Sequence, residues 1–78
     1  MISYEPFWKT LEQRGLNQYR LIRYYKVSPA QLTRIRKNMY ISTRVVERLC
    51  DILNCQPEDI MEVVLEEEKL LRLKRGTQ

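Results

Sequence analysis

The chain contains no histidine, and it has little glycine, proline and cysteine. Its 78 residues include two glycines, three prolines and two cysteines. Histidine is the side chain that most often exchanges protons near neutral pH, and glycine-rich loops commonly cradle phosphate groups. A chain of this length also has room for only one modest core. These absences argue against an enzyme, and we expect no cofactor and no small-molecule substrate.

The two cysteines, Cys50 and Cys55, lie in an apolar stretch. A tetrahedral zinc site needs further ligands, and no histidine is present to supply them. We therefore interpret both cysteines as free thiols among apolar side chains, with Cys50 in the core, and we expect no metal site.

Signals for export or membrane insertion are also missing. Residues 1–7 lack the basic and apolar regions of a signal peptide, and no apolar run approaches the about 18 residues that span a bilayer. The sequence predicts a cytoplasmic protein that does not cross a membrane.

Acidic residues are absent from a long central segment. No Asp or Glu occurs in residues 13–46, which we call the acid-free segment. Its basic residues are Arg14, Arg20, Arg23, Lys26, Arg34, Arg36, Lys37 and Arg44. So many uncompensated positive charges in one segment are typical of a protein that binds a polyanion.

Capping residues and apolar spacing predict an all-α fold of five helices. Proline suits the first position of a helix, and Ser or Asn suits the preceding cap. The start signals are Glu5–Pro6, Asn17, Ser28–Pro29, Ser42 and Pro57. The predicted inward faces are Phe7 and Leu11; Leu21, Ile22 and Tyr25; Leu32 and Ile35; Val46, Leu49, Cys50 and Leu53; and Ile60, Met61 and Val64.

The third predicted helix has few apolar residues. Ser28 and Gln31 fit a capping box at its start. Only Leu32 and Ile35 are spaced to reach a core. The remaining positions leave an outward stripe at helical spacing, formed by Ala30, Thr33, Arg34 and Lys37. A helix with so small an apolar face indicates a function for its polar face.

The C-terminal residues are rich in helix formers, and we divide the chain into a domain at 1–64 and a helical extension or tail at 65–78. The segment from Val63 to Leu73 has more apolar side chains than the end of so small a core needs. We therefore predict a symmetric homodimer held through the fifth helix and this segment.

The order and spacing of these signals resemble a known family. Two helices joined by a turn of about four residues, between Asn17 and Lys37, form the arrangement that sets a recognition helix into the major groove. The sequence resembles the Cro/C1-type helix-turn-helix (HTH) domains of phage repressors and their bacterial relatives over roughly Tyr4 to Val64. The resemblance is carried by Gly15-Leu16-Asn17-Gln18, Leu21, Val27-Ser28, Leu32, Arg34-Ile35, Ser42-Thr43, Leu49-Cys50, Leu53-Asn54-Cys55 and Pro57-Glu58-Asp59-Ile60-Met61.

This resemblance implies a compact five-helix, lambda-repressor-like domain with the HTH at helices 2 and 3. It implies sequence-specific binding of double-stranded DNA by a small transcriptional regulator, which we expect to be a repressor. One position departs from the pattern, because Lys26 stands where many relatives have glycine in the turn. Lysine there must either adopt a left-handed conformation or shift the turn.

The resemblance also implies roles for individual residues. Gln18 matches a residue that binds a DNA phosphate, and Arg34 has the chemistry to donate two hydrogen bonds to guanine. The positions that match the major-groove face are Pro29, Ala30, Thr33 and Arg34. The positions that would flank the groove and bind phosphates are Lys37, Asn38, Tyr40 and Arg44.

A second interpretation stays open, in which the same fold is a protein-interaction module. An acidic patch on a partner, such as a toxin or a polymerase subunit, would also explain the basic segment. Binding to duplex DNA that weakens steeply with salt would distinguish the two, because phosphate contacts release counterions.

Overall fold

The computed structural model describes residues 1–65 and shows four α-helices with a small sheet. The elements are β1 (Ile2–Ser3), α1 (Glu5–Gln13), α2 (Gln18–Tyr25), α3 (Pro29–Arg36), α4 (Thr43–Leu53), a 3₁₀ turn (Pro57–Asp59) and β2 (Glu62–Val63). The first four predicted helices are confirmed. Of the predicted extension at 65–78, residues 66–78 lie outside the described residues.

Three side chains cap helices as the sequence indicates. The Asn17 side chain accepts a hydrogen bond from the Arg20 amide at 2.9 Å. Ser28 accepts one from the Ala30 amide at 3.2 Å, and Ser42 one from Val45 at 3.3 Å. The predicted capping box at α3 does not form, because the buried Oε1 atom of Gln31 has no hydrogen-bond partner among the described residues.

The fifth helix predicted from Pro57 is a single 3₁₀ turn followed by a strand. The turn is closed by the Asp59 carboxylate, which accepts a hydrogen bond from the Gln56 amide at 3.1 Å. Ile60 then enters the core, and Glu62–Val63 run extended. The prediction of five helices fails here because extended β-branched residues find a strand partner that helix signals do not reveal.

That partner is β1, so the domain is not purely helical. β1 and β2 pair antiparallel, with Ile2 opposite Val63 and Ser3 opposite Glu62. The Val64 amide donates to the Met1 carbonyl at 2.7 Å. Val64 was expected to face inward and is instead 40% exposed, since it follows β2 and does not lie on a helix.

One core holds the helices together. Its buried members are Tyr4, Phe7, Leu11, Leu21, Val27, Leu32, Ile35, Leu49, Leu53 and Ile60. The predicted inward face of α2 is wrong at two positions, because Ile22 is 36% exposed and Tyr25 is 39% exposed. α2 is packed along one narrow line through Leu21, which leaves most of its surface facing outward.

Lys26 adopts the left-handed conformation that its position in the turn requires, with φ 58° and ψ 33°. A side chain costs about 1 kcal/mol in that region, whereas glycine has no such penalty.

We expect Lys26→Gly to raise the free energy of unfolding by about 0.5–1 kcal/mol, measured by urea denaturation. Gly15→Ala is the matched control and should lower the free energy of unfolding, because it adds a side chain at a φ of 69°. If both changes destabilise equally, backbone strain at Lys26 is not the cause.

Cys50 packs against the core beside Leu49 and Leu53, as predicted, but it is only partly buried. Burial raises the pKa of the Cys50 thiol, and burial together with Cys50 raises that of Cys55 to about 11. Both are free cysteines in the structure.

We expect Cys50→Ser to lower the free energy of unfolding by about 1–3 kcal/mol, since it places a hydroxyl in apolar surroundings. Cys50→Ala is the control, and fast labelling of native Cys50 by a thiol reagent would contradict this placement.

Candidate nucleic-acid interface

The turn between α2 and α3 is fixed from two sides. Val27 is buried, and its amide donates to the Leu21 carbonyl at 3.0 Å. The Arg48 guanidinium, on α4, donates to the carbonyls of Tyr25 and Lys26 at the end of α2. A cation near the carbonyl end of a helix is favourable. α2 and α3 are therefore held at a set angle by the core and by α4.

The exposure pattern of α3 matches the sequence prediction. Leu32 and Ile35 are 1% and 0% exposed and anchor the helix in the core. The other side of the helix is open to solvent along its whole length. We call this surface the polar face of α3, and its exposed residues are Pro29, Ala30, Thr33, Arg34 and Lys37.

Thr33 and Arg34 of the polar face differ in whether their side-chain donors are already used in hydrogen bonds. The Thr33 hydroxyl donates to the Pro29 carbonyl at 3.1 Å, so its hydrogen is used within the helix. Within residues 1–65, the Arg34 guanidinium has no hydrogen-bond or ion-pair partner and stays available. Arg34 is thus the residue of this face with the most unused donors.

Gln18 lies at the start of α2 and is linked to α3. The Arg36 guanidinium donates to Oε1 of Gln18, which leaves the Gln18 amide NH₂ as a donor. The first backbone N–H groups of α2 lie beside it, and such groups bind anions. Sequence reasoning counted Arg36 only as a charge, because nothing in the sequence pairs it with a residue in another helix.

The loop after α3 carries the predicted flanking residues. Tyr40 is exposed, and Arg44 is exposed in the first turn of α4. Asn38 has a left-handed φ of 56°, and its Oδ1 atom accepts a hydrogen bond from the Tyr4 amide at 3.2 Å. Asn38 therefore has mainly its NH₂ group left for an external acceptor.

Within residues 1–65, most cations of the acid-free segment have no carboxylate partner. Among the described residues the ion pair is Lys9 with Glu5, at 3.5 Å on α1 and outside this segment. Arg14 is an exception to the expected role, because it donates to the Leu53 carbonyl at 2.8 Å and to that of Asn54 at 3.4 Å. It stabilises the end of α4, and the basic surface consists of the remaining cations.

Other kinds of site are not seen in the described part of the chain. Over residues 1–65, no three potential metal ligands cluster together. No helix in that range is both long and apolar enough to pass through a bilayer.

Comparison with known proteins agrees with this geometry. A family model for the Cro/C1-type HTH DNA-binding domain matches residues 7–66. A crystal structure of the transcriptional regulator VanUg is similar to this chain, with a TM-score of 0.75 and 32% sequence identity over 83% of this chain and 87% of the other. No curated protein matches. The chain therefore belongs to the family of Cro/C1-type HTH DNA-binding domains, which are not enzymes.

Proposed function

We propose that this domain is a small transcriptional repressor that binds a specific double-stranded DNA sequence with α3 in the major groove. The polar face of α3 carries the proposal, because it is exposed along its length while Leu32 and Ile35 fix the opposite side in the core. The likeness to the regulator VanUg supports a role in transcription.

The polar face offers groups that read base edges. Arg34 can donate two hydrogen bonds to O6 and N7 of guanine. Ala30 and the methyl group of Thr33 can contact the methyl group of thymine, and Pro29 contributes shape. Since the Thr33 hydroxyl is bonded to the Pro29 carbonyl, apolar contact is the better use of this side chain.

Phosphate contacts would come from both ends of the HTH. Gln18 would use its NH₂ group and the backbone amides at the start of α2. Lys37, Asn38, Tyr40 and Arg44 would bind phosphates from the loop after α3 and the start of α4. The exposure of these residues supports the assignment, as does the absence of carboxylate partners among residues 1–65.

A symmetric dimer is part of this proposal. One recognition helix buries too little surface for tight specific binding, and a second copy doubles it on two half-sites about one helical turn apart. Val63 and Val64 are 64% and 40% exposed, which supports an interface that starts at β2. Because the fifth helix is a 3₁₀ turn and a strand, we place the contact at β2 and the residues after it. Of these, residues 66–78 lie outside the described residues.

Selection of bound duplexes from a random DNA pool would test the function. We expect one enriched motif with two related half-sites, and repression of a reporter whose promoter contains it. Repression requires only occupancy, because a bound domain excludes other proteins from the same duplex. Enrichment of no motif by the folded protein would contradict sequence-specific binding.

The interaction-module alternative is favoured by one observation. α2 exposes several large side chains beside Arg23, and a cluster of exposed aromatic and apolar side chains is typical of a protein-interaction surface; they are Tyr19, Ile22, Tyr24 and Tyr25. Binding to duplex DNA that weakens linearly on a log-log salt scale supports the first function. Binding to a protein with no such affinity for duplex DNA supports the second.

A further inference from the structure

Tyr4 lies outside the HTH, at the junction of β1 and α1. It is 1% exposed, and its carbonyl accepts a hydrogen bond from the Phe7 amide at 3.0 Å. β1 is in turn held by its pairing with Glu62–Val63. Tyr4 is therefore fixed both by the core and by the sheet.

Two hydrogen bonds connect Tyr4 to the loop after α3. Its hydroxyl donates to the Met39 carbonyl at 2.6 Å, and its amide donates to Oδ1 of Asn38 at 3.2 Å. Burial raises the pKa of the Tyr4 hydroxyl above its ordinary value, so this donor is protonated well beyond neutral pH. Both bonds reach residues that directly follow the polar face.

The loop has little apolar anchoring between α3 and Ile41, which packs against the core. Met39 is 48% exposed and Tyr40 80% exposed. The Met39 amide donates to the Arg34 carbonyl at 2.9 Å, which sets where the loop leaves α3. At Asn38 and Met39, the hydrogen bonds from Tyr4 connect the loop to the core of the domain.

We propose that Tyr4 is a positioning residue of the DNA interface, which holds the loop so that Lys37 and Tyr40 meet the phosphate backbone. Tyr4 itself is buried and does not touch DNA. The inference rests on the proposed DNA-binding function and extends it to the N-terminal strand, which contributes to the interface by supporting this loop.

Tyr4→Phe tests the inference, because it removes the hydroxyl and keeps the buried ring. We expect affinity for the selected duplex and for a random duplex to fall by the same factor, about two- to tenfold. The slope of log affinity against log salt should become shallower, by up to about one, as a phosphate contact weakens. Tyr24→Phe makes the same chemical change at an exposed site on α2, and it should behave as the parent.

A second variant and a second measurement separate positioning from stability. Asn38→Gly removes the other bond while permitting the left-handed φ, and because it also removes the NH₂ group of a proposed phosphate contact it should lower affinity at least as much as Tyr4→Phe. Amide hydrogen exchange at Met39, whose amide is bonded to the Arg34 carbonyl, should be faster in Tyr4→Phe than in Tyr24→Phe. Ile60→Val lowers stability at a buried position that is part of neither the loop nor α3, and it should leave affinity and salt slope unchanged.

The outcomes are distinct. If the parent binds duplex DNA and Tyr4→Phe matches Tyr24→Phe in affinity, slope and exchange, the positioning role is wrong and the proposed function stands. The role is also wrong if Ile60→Val loses as much affinity as Tyr4→Phe. A folded parent that binds no duplex overturns the proposed function and this inference together.

Discussion

A chain that ends at Val64 is expected to bind a palindromic site about 10²–10⁴-fold more weakly than the full-length chain. In the proposed dimer the second recognition helix binds at high effective concentration once the first is bound. Removing the residues after Val64 should take away much of the interface that links the two copies. The truncated chain should then occupy each half-site independently.

The truncation is designed to preserve the domain itself. It retains the β1–β2 pairing, including the hydrogen bond from the Val64 amide to the Met1 carbonyl. Urea denaturation should confirm that the shorter chain is folded, and sedimentation of both chains, free and on DNA, gives the stoichiometry. A full-length chain that is monomeric at micromolar concentration and binds one to one, unaffected by truncation, would contradict the dimer.

A point variant locates the interface more sharply. Val63 is exposed and lies opposite Ile2 on the sheet. Val63→Glu places a charge on the proposed contact surface without removing any backbone hydrogen bond. It should weaken self-association, whereas the matched exposed change Tyr24→Glu should not. Equal self-association of the parent and both variants would place any dimer contact elsewhere.

Arg34→Ala is expected to cost about 1–3 kcal/mol of binding free energy per half-site on the preferred duplex, and less on random DNA. The guanidinium is exposed at the centre of the polar face and has no partner within residues 1–65. Its removal is therefore not expected to lower the free energy of unfolding. Competition binding with the selected and a scrambled duplex measures the change in their ratio.

Two further variants separate base reading from charge. Arg34→Lys keeps the positive charge but loses the two-pronged geometry, so it should retain non-specific affinity and lose preference. Lys37→Ala should weaken binding to all duplexes alike, as expected for a phosphate contact. If Arg34→Ala leaves the ratio of specific to random binding unchanged, Arg34 does not read a base.

The sequence predicted the parts of this domain that depend on near neighbours. Asn17, Ser28 and Ser42 cap the helices they were expected to cap, because each bonds to an amide two or three residues away. Leu32 and Ile35 were correctly placed in the core because helical spacing alone sets them on one side of α3. The exposed polar face follows from the same spacing.

Contacts between distant parts of the chain could not be predicted from the sequence. Arg36 reaches Gln18, 18 residues away, and Tyr4 reaches Met39, 35 residues away. The expected fifth helix gave way to a 3₁₀ turn and β2 because β1, at the other end of the chain, supplied a strand partner. Capping and periodicity describe interactions within a few residues, whereas these contacts form only when the packed core brings remote segments together. Local signals were therefore enough to predict the HTH and its outward face, whereas the placement of the flanking loop against the N-terminal strand depends on the packed core.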